Sequence, residues 1–377
     1  MTAEKKRLRI GVIFGGRSGE HEVSLASAAS VIRALDPEKY EVVPIGITKD
    51  GRWLVGSPAQ KMLPEVLRSG QHVMLSADPS VAALVPLDGT SAETLRVDVV
   101  FPVLHGTYGE DGTVQGLLEL AGLPYVGSGV IGSAVGMDKD MQKRLFLQAK
   151  LPVGGFLALA RSEWERDRAR VLKAVQKKFR FPLFVKPAAL GSSVGMTKVH
   201  NRAELGGALD LAAEFGQKIL VERNIRGREI EVAVLGNDDP KASIPGEIIP
   251  HREFYDYTAK YLEEGTNLLI PAILTKTQVR GLQEYAVRAF RCLELRGMAR
   301  VDFFLERPSG RIYLNEVNTI PGFTSISMYP KMWEASGLSY RDLISRLIEL
   351  ALAEHAEKQR TKYSIELPAG AGGALEA

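Results

Sequence analysis

A β-hairpin in the C-terminal third of the chain constrains the fold and the chemistry most strongly. Two stretches of alternating apolar and polar residues flank a turn at residues 308–310. The alternation places Asp302 on the polar face of the first strand, and Glu316 and Asn318 on one face of the second. If the register aligns these faces, two carboxylates and an amide oxygen lie together, and a hard cation such as Mg²⁺ would relieve their repulsion. Taken alone, the pattern would also suit a solvated polar face.

Length and composition indicate a globular protein of two or three domains. A chain of 377 residues is too long to form a single ordinary hydrophobic core. Its content of 45% hydrophobic and 25% charged residues is typical of globular proteins. A net charge of +3, without a basic stripe interleaved with aromatic residues, argues against nucleic-acid binding. Because there is no apolar signal region and no apolar run of membrane-spanning length, we expect a cytoplasmic protein that binds no membrane. The single cysteine, Cys292, fits a reducing compartment and is better explained as a buried apolar side chain than as a nucleophile.

The order of elements predicts three domains and a tail. Residues 1–136 alternate apolar strands with amphipathic helices, which indicates an α/β domain with a doubly wound, Rossmann-like parallel sheet. Residues 137–227 carry an α+β mixture of strands and helices around a glycine-rich loop. Residues 228–360 hold the acidic hairpin, a long polar loop and a closing helix. Residues 361–377 have too little apolar bulk to pack, and we expect them to be disordered.

Several local expectations follow from periodicity and capping signals. Residues 22–35 and 340–358 are predicted to be helices, the second with Ser339 as its N-cap. Residues 165–179 are predicted to form one charged amphipathic helix. The segment at 56–93 shows no clear period and is predicted to be an irregular insertion.

A glycine- and serine-rich loop supplies a second chemical signal. Lys186 ends a short strand, and the following GSSVG at residues 191–195, which includes Ser193, can wrap backbone N–H groups around an anion. The order differs from that of a Walker A loop, because the lysine precedes the glycines. Lys139 opens the preceding helix and is placed to reach the same phosphates. Each feature alone would also suit a hairpin loop or a surface lysine.

The segment from Glu222 to Ile225 leaves a strand and crosses into the last domain. An interdomain linker of this kind can offer backbone groups to the edge of an adenine base, and the acidic Glu229 suits ribose hydroxyls. Ordinary solvated linker charges are the alternative. Together with the lysines and the acidic hairpin, the linker indicates a site for a nucleotide and magnesium.

These three features resemble the ATP-grasp enzymes, in which two α+β domains hold ATP between lysines and metal-binding carboxylates. The N-terminal motifs FGGRSGEHEVSLAS (residues 14–27) and HGTYGEDGTVQGLLELAGLPYVGSGV (105–130) are similar to those of the D-alanine–D-alanine ligase family. The C-terminal motifs GMARVDFF and NEVNTIPGFTSISMYP are similar to the same family, and the resemblance extends from about residue 10 to residue 347. It implies a three-domain ATP-grasp fold. It also implies ATP-dependent formation of D-alanyl-D-alanine for peptidoglycan, through a D-alanyl phosphate.

The resemblance assigns roles to individual residues. For ATP it implies Lys139, Lys186, Ser193, Glu222, Ile225, Glu229 and Lys260, and for the metal Asp302, Glu316 and Asn318. The catalytic set that it implies is Glu20, Ser192, Lys260, Tyr261, Arg300 and Gly322. For the substrates it implies Glu20 and His105 at the first D-alanine, and Ser327 and the backbone of Met328 at the second. On the residues alone, Glu20 also suits a helix start and His105 a structural place before a glycine turn.

The polar loop at residues 251–267 is expected to be functional, because long irregular loops in compact enzymes usually are. By resemblance it closes over the intermediate, and a hydrogen-bonded set of Glu20, Ser192 and Tyr261 locks it. Closure would keep water from the acyl phosphate. Tyr261 favours the dipeptide product over the ester that D-lactate would give.

The resemblance implies ATP and two Mg²⁺ ions, for which Mn²⁺ can substitute, and leaves a role for K⁺ open. The partners it implies are small molecules, D-alanine and ATP, and a second copy of the chain in a homodimer formed through the N-terminal domain. Two alternatives stand beside the dipeptide ligase. One is a ligase of the same fold that takes D-lactate or D-serine as second substrate. The other is a catalytically silent ATP-binding sensor of D-alanine, against which Arg300 argues because a sensor needs no oxyanion site.

Overall fold

Three β-sheets organise the described chain, which comprises residues 7–56, 63–87, 94–191, 194–249, 267–324 and 326–363 of a computed structural model. Four residues that the resemblance assigns to the site lie outside these described residues. They are Ser192 and Ser193 of the glycine-rich loop, and Lys260 and Tyr261 of the polar loop. No helix within the described ranges is long and apolar enough to cross a bilayer.

The N-terminal sheet is built from β1 Leu8–Gly15, β2 Tyr40–Ile47, β3 Trp53–Val55, β4 Gln71–Leu75, β5 Ala83–Pro86, β6 Leu95–Arg96 and β7 Val99–Pro102. Its strand order is β6-β5-β4-β3-β2-β1-β7. The predicted parallel arrangement is found for β1, β2 and β7, and β3 to β6 extend the sheet in antiparallel fashion. Four helices accompany it in the described residues: α1 His21–Ala34, α2 Leu63–Ser69, α3 Thr113–Leu120 and α4 Val130–Met137.

The prediction of an irregular segment at 56–93 is wrong for its described part. Residues 63–87 hold α2, β4 and β5, and the two strands pair with each other. Strands of four or five residues contain too few alternations to establish a period in the sequence. β4 also pairs with β3, whose residues precede the segment, so the strands of the segment continue the N-terminal sheet.

The second sheet is antiparallel and consists of β8 Phe156–Ala160, β9 Leu183–Pro187, β10 Thr197–Val199 and β11 Lys218–Arg223, in the order β10-β9-β11-β8. Its helices are α5 Lys139–Gln148, α6 Arg161–Arg166, α7 Arg168–Lys178 and α8 Arg202–Phe215. The single helix predicted at 165–179 is wrong. Asp167 ends α6 and caps α7, because its side chain accepts a hydrogen bond from the backbone N–H of Arg170 at 2.9 Å.

The third sheet contains β12 Gly227–Gly236, β13 Lys241–Ala242, β14 Gly246–Ile249, β15 Asn267–Leu269, β16 Gly297–Glu306 and β17 Ile312–Asn318. Its order is β15-β14-β12-β16-β17, with β13 paired to β12. The accompanying helices are α9 Lys276–Cys292, α10 Met328–Ala335 and α11 Tyr340–Lys358. Ser339 is the predicted N-cap of α11, and its hydroxyl accepts a hydrogen bond from Asp342 N–H at 3.2 Å.

One apolar core joins the N-terminal sheet to the C-terminal elements. Phe14 and Phe101 of that sheet lie in the same buried cluster as Phe323 and as Leu347 of α11. Ile13, the neighbour of Phe14, belongs to a separate cluster on the opposite face of the sheet. Both faces of β1 are therefore covered, as expected for a strand of a parallel sheet. The shared core sets the N-terminal loops against the turn that follows β17.

Candidate active site

A cavity of about 1460 Å³ opens between the second and third sheets and is closed at one end by N-terminal loops. It is lined by every described residue that the sequence analysis assigned to a site: Glu20, His105, Lys139, Lys186, Glu222, Ile225, Glu229, Arg300, Asp302, Glu316, Asn318, Gly322, Ser327 and Met328. Residues from all parts of the described chain thus converge on one cleft.

The hairpin of β16 and β17 aligns its polar faces as predicted. Asp302 is paired across the strands with Glu316, and Arg300 with Asn318. On the other side of β16, Glu231 of β12 is the cross-strand partner of Asp302. Glu231, Asp302 and Glu316 therefore form one patch, which we call the acidic wall. The ladder between β16 and β17 shifts register just after Asp302, and such irregularities are common beside functional sites.

Arg300 is the main cation of the acidic wall. Its Nε and Nη2 donate to the two carboxylate oxygens of Asp302 at 2.8 and 2.7 Å, and Nε lies 3.1 Å from Glu231 Oε2. Burial opposes the charge, but the carboxylates of Asp302 and Glu231 raise the pKa of Arg300 well above its usual value. Lys139 adds a second cation, with Nζ 3.4 Å from Glu316 Oε2.

The acidic wall has the chemistry of a magnesium site. Within the described chain no cluster of three or more His, Cys, Asp or Glu side chains has metal-binding geometry. The predicted set instead combines two carboxylates, Asp302 and Glu316, with the amide of Asn318, whose Nδ2 donates to Asp302 Oδ2 at 3.0 Å. Mg²⁺ prefers one or two carboxylates and completes its coordination with phosphate oxygens and water. The residues fit that ion.

The opposite side of the cleft, which we call the lysine wall, consists of Lys143, Lys186 and Glu222. Glu222 Oε1 lies 2.7 Å from Lys143 Nζ, and Oε2 lies 2.5 Å from Lys186 Nζ. Burial would raise the pKa of Glu222, but the two ammonium groups hold it at about 2. Burial likewise opposes the charge on Lys186, but Glu222 and Glu316 raise its pKa.

Sequence reasoning missed Lys143, which is only 2% exposed at its side chain. Burial lowers the pKa of this lysine, and Glu222 opposes that shift. Its Nζ also donates to the carbonyl of Asn315 at 2.9 Å, so it joins α5 to β17 as well as to β11. The available signal was its spacing: Lys143 lies four residues after Lys139 and therefore one turn further along the same helix face.

The start of α5 is fixed by several polar contacts. The side chain of Asp138 caps the helix by accepting from Asp140 N–H at 3.0 Å and Met141 N–H at 3.2 Å. Lys139 follows directly, and its Nζ donates to the carbonyl of Leu190 at 3.0 Å, just before the glycine-rich loop. Gln142 Oε1 accepts from Val317 N–H of β17 at 2.9 Å. One helix therefore carries Lys139 to the acidic wall and Lys143 to the lysine wall.

Glu20 lies at the N-cap of α1, is 8% exposed, and packs against two glycines. A Cβ built on Gly191 would be 2.7 Å from Glu20 Oε2, and one built on Gly106, whose φ is +74°, would be 2.8 Å from it. A side chain at either position would displace the carboxylate. The glycine-rich loop and the N-terminal helix thus meet at Glu20.

The turn after β17 presents Gly322 and Ser327 to the cleft. A Cβ on Gly322 would be 2.8 Å from Ser327 Oγ, so glycine permits the close approach. Ser327 Oγ accepts from Thr324 N–H at 3.0 Å and lies 2.8 Å from Thr324 Oγ1. Ser327 is also the residue before α10, so the unpaired N–H groups at the start of that helix face the same region.

His105 and Glu110 occupy the N-terminal end of the cleft. His105 Nδ1 lies 3.1 Å from the carbonyl oxygen of Ile320, and Nε2 lies 3.1 Å from Ser27 Oγ. Burial lowers the pKa of His105, although the carboxylate of Glu20 opposes that shift. Glu110, which sequence reasoning missed, accepts from Ile320 N–H at 3.3 Å. Burial and then the charge of Glu20 raise its pKa to about 8.

Comparisons with known proteins agree with one another along nearly the whole chain. Two family models match it, D-ala D-ala ligase N-terminus at residues 9–128 and D-ala D-ala ligase C-terminus at residues 145–349. The D-alanine--D-alanine ligase of Natranaerobius thermophilus is 51% identical over 357 residues, which cover 94% of this chain and 98% of that protein. The ligase of the same name from Heliobacterium modesticaldum is 51% identical over 352 residues, covering 93% and 96%.

Solved structures show the same relationship. The D-alanine-D-alanine ligase from Coxiella burnetii superposes with a TM-score of 0.84 at 40% identity, covering 94% of this chain and 97% of that one. The VanG D-Ala:D-Ser ligase from Enterococcus faecalis superposes with a TM-score of 0.82 at 39% identity, covering 92% and 100%. The fold class expected from the motifs is confirmed by these matches, and the chain belongs to the D-alanine–D-alanine ligase family.

Proposed function

We propose that this chain joins two molecules of D-alanine into D-alanyl-D-alanine for peptidoglycan synthesis, with conversion of ATP to ADP and phosphate. The observation that carries this proposal is the convergence of four groups in one cleft: the lysine wall, the acidic wall, Glu20, and the turn at residues 320–328. Relatives named D-alanine--D-alanine ligase, about half identical over more than nine-tenths of the chain, support it.

ATP binds between the second and third sheets in this proposal. Residues 1–136 then form the substrate domain, and residues 137–227 and 228–360 form the two domains that hold the nucleotide. The phosphates meet Lys139, Lys186 and, outside the described residues, Ser193 and Lys260, while Glu222 and Ile225 face the adenine and Glu229 faces the ribose. Each oxygen of Glu222 keeps a second lone pair beside its lysine, so the carboxylate retains acceptor capacity for an exocyclic amine.

Asp302, Glu316 and Asn318 hold Mg²⁺ in this proposal. The acidic wall carries three carboxylates against the two cations Arg300 and Lys139, so a divalent ion relieves the excess of negative charge. When bound, the ion offsets the charge of the triphosphate. We extend the proposal to a second Mg²⁺ and to Mn²⁺, which share the preference for carboxylate oxygen. Dependence on K⁺ is a separate question for the same assay.

In the first step the ammonium group of the first D-alanine is held by Glu20. A carboxylate oxygen of that D-alanine forms a bond to the γ-phosphorus of ATP, and the bond from that phosphorus to the β–γ bridging oxygen breaks to release ADP. Lys186 stabilises the charge on the phosphates, and the guanidinium of Arg300 faces the reacting carboxylate. The product is D-alanyl phosphate.

In the second step the ammonium group of the second D-alanine gives up a proton to solvent, and the neutral amine attacks the carbonyl carbon of D-alanyl phosphate. The carbonyl oxygen becomes an oxyanion, for which Arg300 and the backbone N–H of Gly322 are the donors. Collapse of this intermediate breaks the bond to phosphate and forms the peptide. The proton that the nitrogen loses on forming the amide leaves with the phosphate. Ser327 and Met328 N–H bind the carboxylate of the second D-alanine, together with Lys260. The loop carrying Tyr261 closes with Ser192 and excludes water.

D-serine is the second candidate for the second substrate, because a D-Ala:D-Ser ligase superposes almost as well as a D-alanine-D-alanine ligase. D-lactate is a further option that Tyr261 disfavours. A catalytically silent sensor of D-alanine is disfavoured by the Arg300 site. We also propose that the chain acts as a homodimer in the cytoplasm, where ATP is available, and light scattering of the purified protein tests the dimer.

The decisive experiment measures phosphate release from ATP and Mg²⁺ with D-alanine, L-alanine, D-alanine plus D-serine, or D-alanine plus D-lactate, with products identified by mass. We expect release with D-alanine and not with L-alanine, and D-alanyl-D-alanine as the main product in both mixtures. A mixed D-alanyl-D-serine or D-alanyl-D-lactate product would transfer the proposal to the corresponding ligase. Nucleotide binding without any phosphate release would support the sensor.

A further inference from the structure

We propose that His105 is a positioning residue, held by Ser27 as the neutral Nδ1–H tautomer, that fixes the turn carrying Gly322. The inference rests on the proposed function only in taking Gly322 N–H as the donor to the oxyanion. It assigns Ser27, on α1, to the same task, and it excludes His105 as a base that removes a proton from either D-alanine.

The direction of each hydrogen bond follows from the atoms involved. A backbone carbonyl only accepts, so the contact of 3.1 Å between His105 Nδ1 and Ile320 O requires a proton on Nδ1. In neutral imidazole, Nε2 is then an acceptor, and the hydroxyl of Ser27 donates to it across 3.1 Å. Ser27 Oγ in turn accepts from Phe323 N–H at 3.3 Å. Every donor in this chain of bonds meets an acceptor.

The other neutral tautomer leaves a conflict. With the proton on Nε2, the lone pair of Nδ1 would face the lone pairs of Ile320 O at 3.1 Å inside a buried site. An imidazolium would donate from both nitrogens, and the Ser27 hydroxyl, which is fully buried, would lose Nε2 as its acceptor. The Nδ1–H form is the arrangement in which the hydrogen bonds of both side chains are satisfied.

The chain of bonds reaches both sides of the dipeptide Pro321-Gly322. Ile320, before it, gives its carbonyl to His105 and its N–H to Glu110 Oε1 at 3.3 Å. Phe323, after it, gives its N–H to Ser27. The turn is therefore held by side chains from α1 and from residues 105–110, which are about two hundred positions or more away in sequence. Since a donor must lie about 2.7 to 3.1 Å from the developing oxyanion, and small misplacements are costly, such anchoring bears directly on catalysis.

Charged groups around His105 act in opposite directions. The carboxylate of Glu20 favours imidazolium and the guanidinium of Arg300 disfavours it, while Glu110 and Lys139 lie further along the same end of the cleft. Burial is the largest influence and favours the neutral ring. Because both ring nitrogens are bonded to the protein, His105 has no lone pair available to accept a proton from substrate.

Substitutions at three positions separate positioning from direct chemistry. Ser27→Ala removes the hydroxyl that bonds to His105 and to Phe323 N–H. We expect it to lower kcat about tenfold and to leave the KM for ATP and for D-alanine nearly unchanged. This loss is smaller than the loss expected when an oxyanion donor itself is deleted. His105→Asn places an amide N–H near the position of Nδ1 and is expected to retain more activity than His105→Ala. Ser30→Ala is the matched control, since Ser30 is a buried serine of α1 whose hydroxyl donates to Ala26 O and accepts from Arg33 within the same helix, and we expect it to keep full activity. Equal losses in His105→Asn and His105→Ala, or an unchanged kcat in Ser27→Ala, would overturn the proposal.

The tautomer itself is measured by long-range ¹⁵N–¹H correlation on protein labelled at histidine, without substrates. We expect His105 to show a proton on Nδ1 and none on Nε2 from about pH 6 to about pH 8, where an ordinary histidine titrates. A proton on Nε2, or an imidazolium in this range, would refute the inference. If Ser27→Ala does not fold, the wild-type spectrum and the His105→Asn variant still decide it. Because the spectrum requires no turnover, a wild-type protein that makes no dipeptide would overturn the proposed function without altering this result.

Discussion

The lysine wall and the acidic wall face each other across one cleft, but they hold their charges differently. In the lysine wall, each oxygen of Glu222 has its own ammonium group, at 2.7 and 2.5 Å. In the acidic wall, Arg300 is in close contact with Asp302 and Glu231, and Lys139 lies 3.4 Å from Glu316, so two cations face three carboxylates. The first wall carries one positive charge in excess and the second one negative charge in excess.

This difference indicates which wall has its charges paired by folding alone and which wall keeps a charge that a ligand can compensate. The lysine wall is internally paired and buried, so its net positive charge is in place before a polyphosphate arrives, and no reorganisation is required. The acidic wall keeps an uncompensated charge in a partly buried site, which is costly unless a cation joins it. If the walls act as proposed, folding builds the phosphate-binding side completely, while the metal-binding side is completed by the ion.

The largest expected effect comes from removing a carboxylate of the acidic wall. Glu316→Gln cancels the excess negative charge, so Mg²⁺ binding weakens, and we expect kcat to fall roughly a thousandfold, about 4 kcal/mol of transition-state stabilisation. The measurement is phosphate release as a function of Mg²⁺ concentration. Glu306→Gln is the control, because Glu306 ends the neighbouring strand β16, pairs with Arg223 and is not among the described residues that line the cleft. If Glu316→Gln kept the Mg²⁺ dependence of the wild type, the acidic wall would not be the metal site.

A second substitution tests whether the lysine wall belongs to the scaffold. Lys143→Met leaves Glu222 with one of its two ammonium groups, and breaking a buried ion pair in this way should lower the free energy of unfolding by about 3 kcal/mol or more. Urea denaturation measures the loss. Arg144→Met is the control, since Arg144 is exposed and its partner Asp140 on the same helix also pairs with Lys218, so the loss should be small. A Lys143→Met protein as stable as the Arg144→Met protein would contradict the scaffold role.

The pH dependence of stability sharpens the comparison further. The pKa of Glu222 is about 2 in the folded protein and about 4.5 when unfolded, so the stability that its ionised form contributes is present above pH 4.5 and is lost as the pH falls towards 2. The full difference corresponds to roughly 3 kcal/mol. We expect the difference in unfolding free energy between wild type and Glu222→Gln to shrink as the pH is lowered through this window.

Substitution of Glu110 provides a matched test, because the pKa of Glu110 is shifted in the opposite direction to that of Glu222. Its pKa is raised to about 8, so the folded protein is favoured when Glu110 is protonated, and that stability is lost as the pH rises from 4.5 through 8. Glu110→Gln should therefore gain stability relative to wild type as the pH rises through this range. If the unfolding free energies of Glu222→Gln and Glu110→Gln, each relative to wild type, changed with pH in parallel, the opposite pKa shifts of the two glutamates would be contradicted.

The parts of the fold and site that sequence predicts are those encoded by neighbouring residues. Alternation over ten and seven residues is enough to orient β16 and β17, and with them Asp302, Glu316 and Asn318. The N-cap at Ser339 is likewise a local signal, since a side chain and an N–H three residues away make the contact. In each case the pattern and the contact lie within one element or one hairpin.

The missed features depend on contacts between distant residues. Lys143 reads as one more basic residue of an amphipathic helix, and only the arrival of β11 and β17 buries it against Glu222 and Asn315. Glu110 lies in a turn, and its raised pKa arises from burial and from Glu20 of another element. The break at Asp167 is a competition that periodicity does not show, because the carboxylate stabilises a new helix start more than a continued helix. These features required the tertiary structure.

The smallest expected effect separates two lysines of a single helix. Lys139 and Lys143 lie one turn apart on α5, yet Lys139 contacts Leu190 O and Glu316 at the open cleft, whereas Lys143 is enclosed. Because the contact of Lys139 with Glu316 is long, Lys139→Met should change the unfolding free energy less than Lys143→Met does. It should raise the KM for ATP about tenfold, close to 1.4 kcal/mol of lost binding, through the missing phosphate contact.

Lys139→Arg keeps the positive charge and is the control for size and shape, so it should recover part of the affinity for ATP. The measurements are the KM for ATP at saturating D-alanine and the urea midpoint of each variant. If Lys139→Met destabilised the fold as strongly as Lys143→Met while leaving the KM for ATP unchanged, both lysines would be scaffold. The phosphate-binding charge would then come from Lys186 and the residues around it. Both lysines of α5 would stabilise the fold, and the helix would contribute no lysine that acts mainly on the nucleotide.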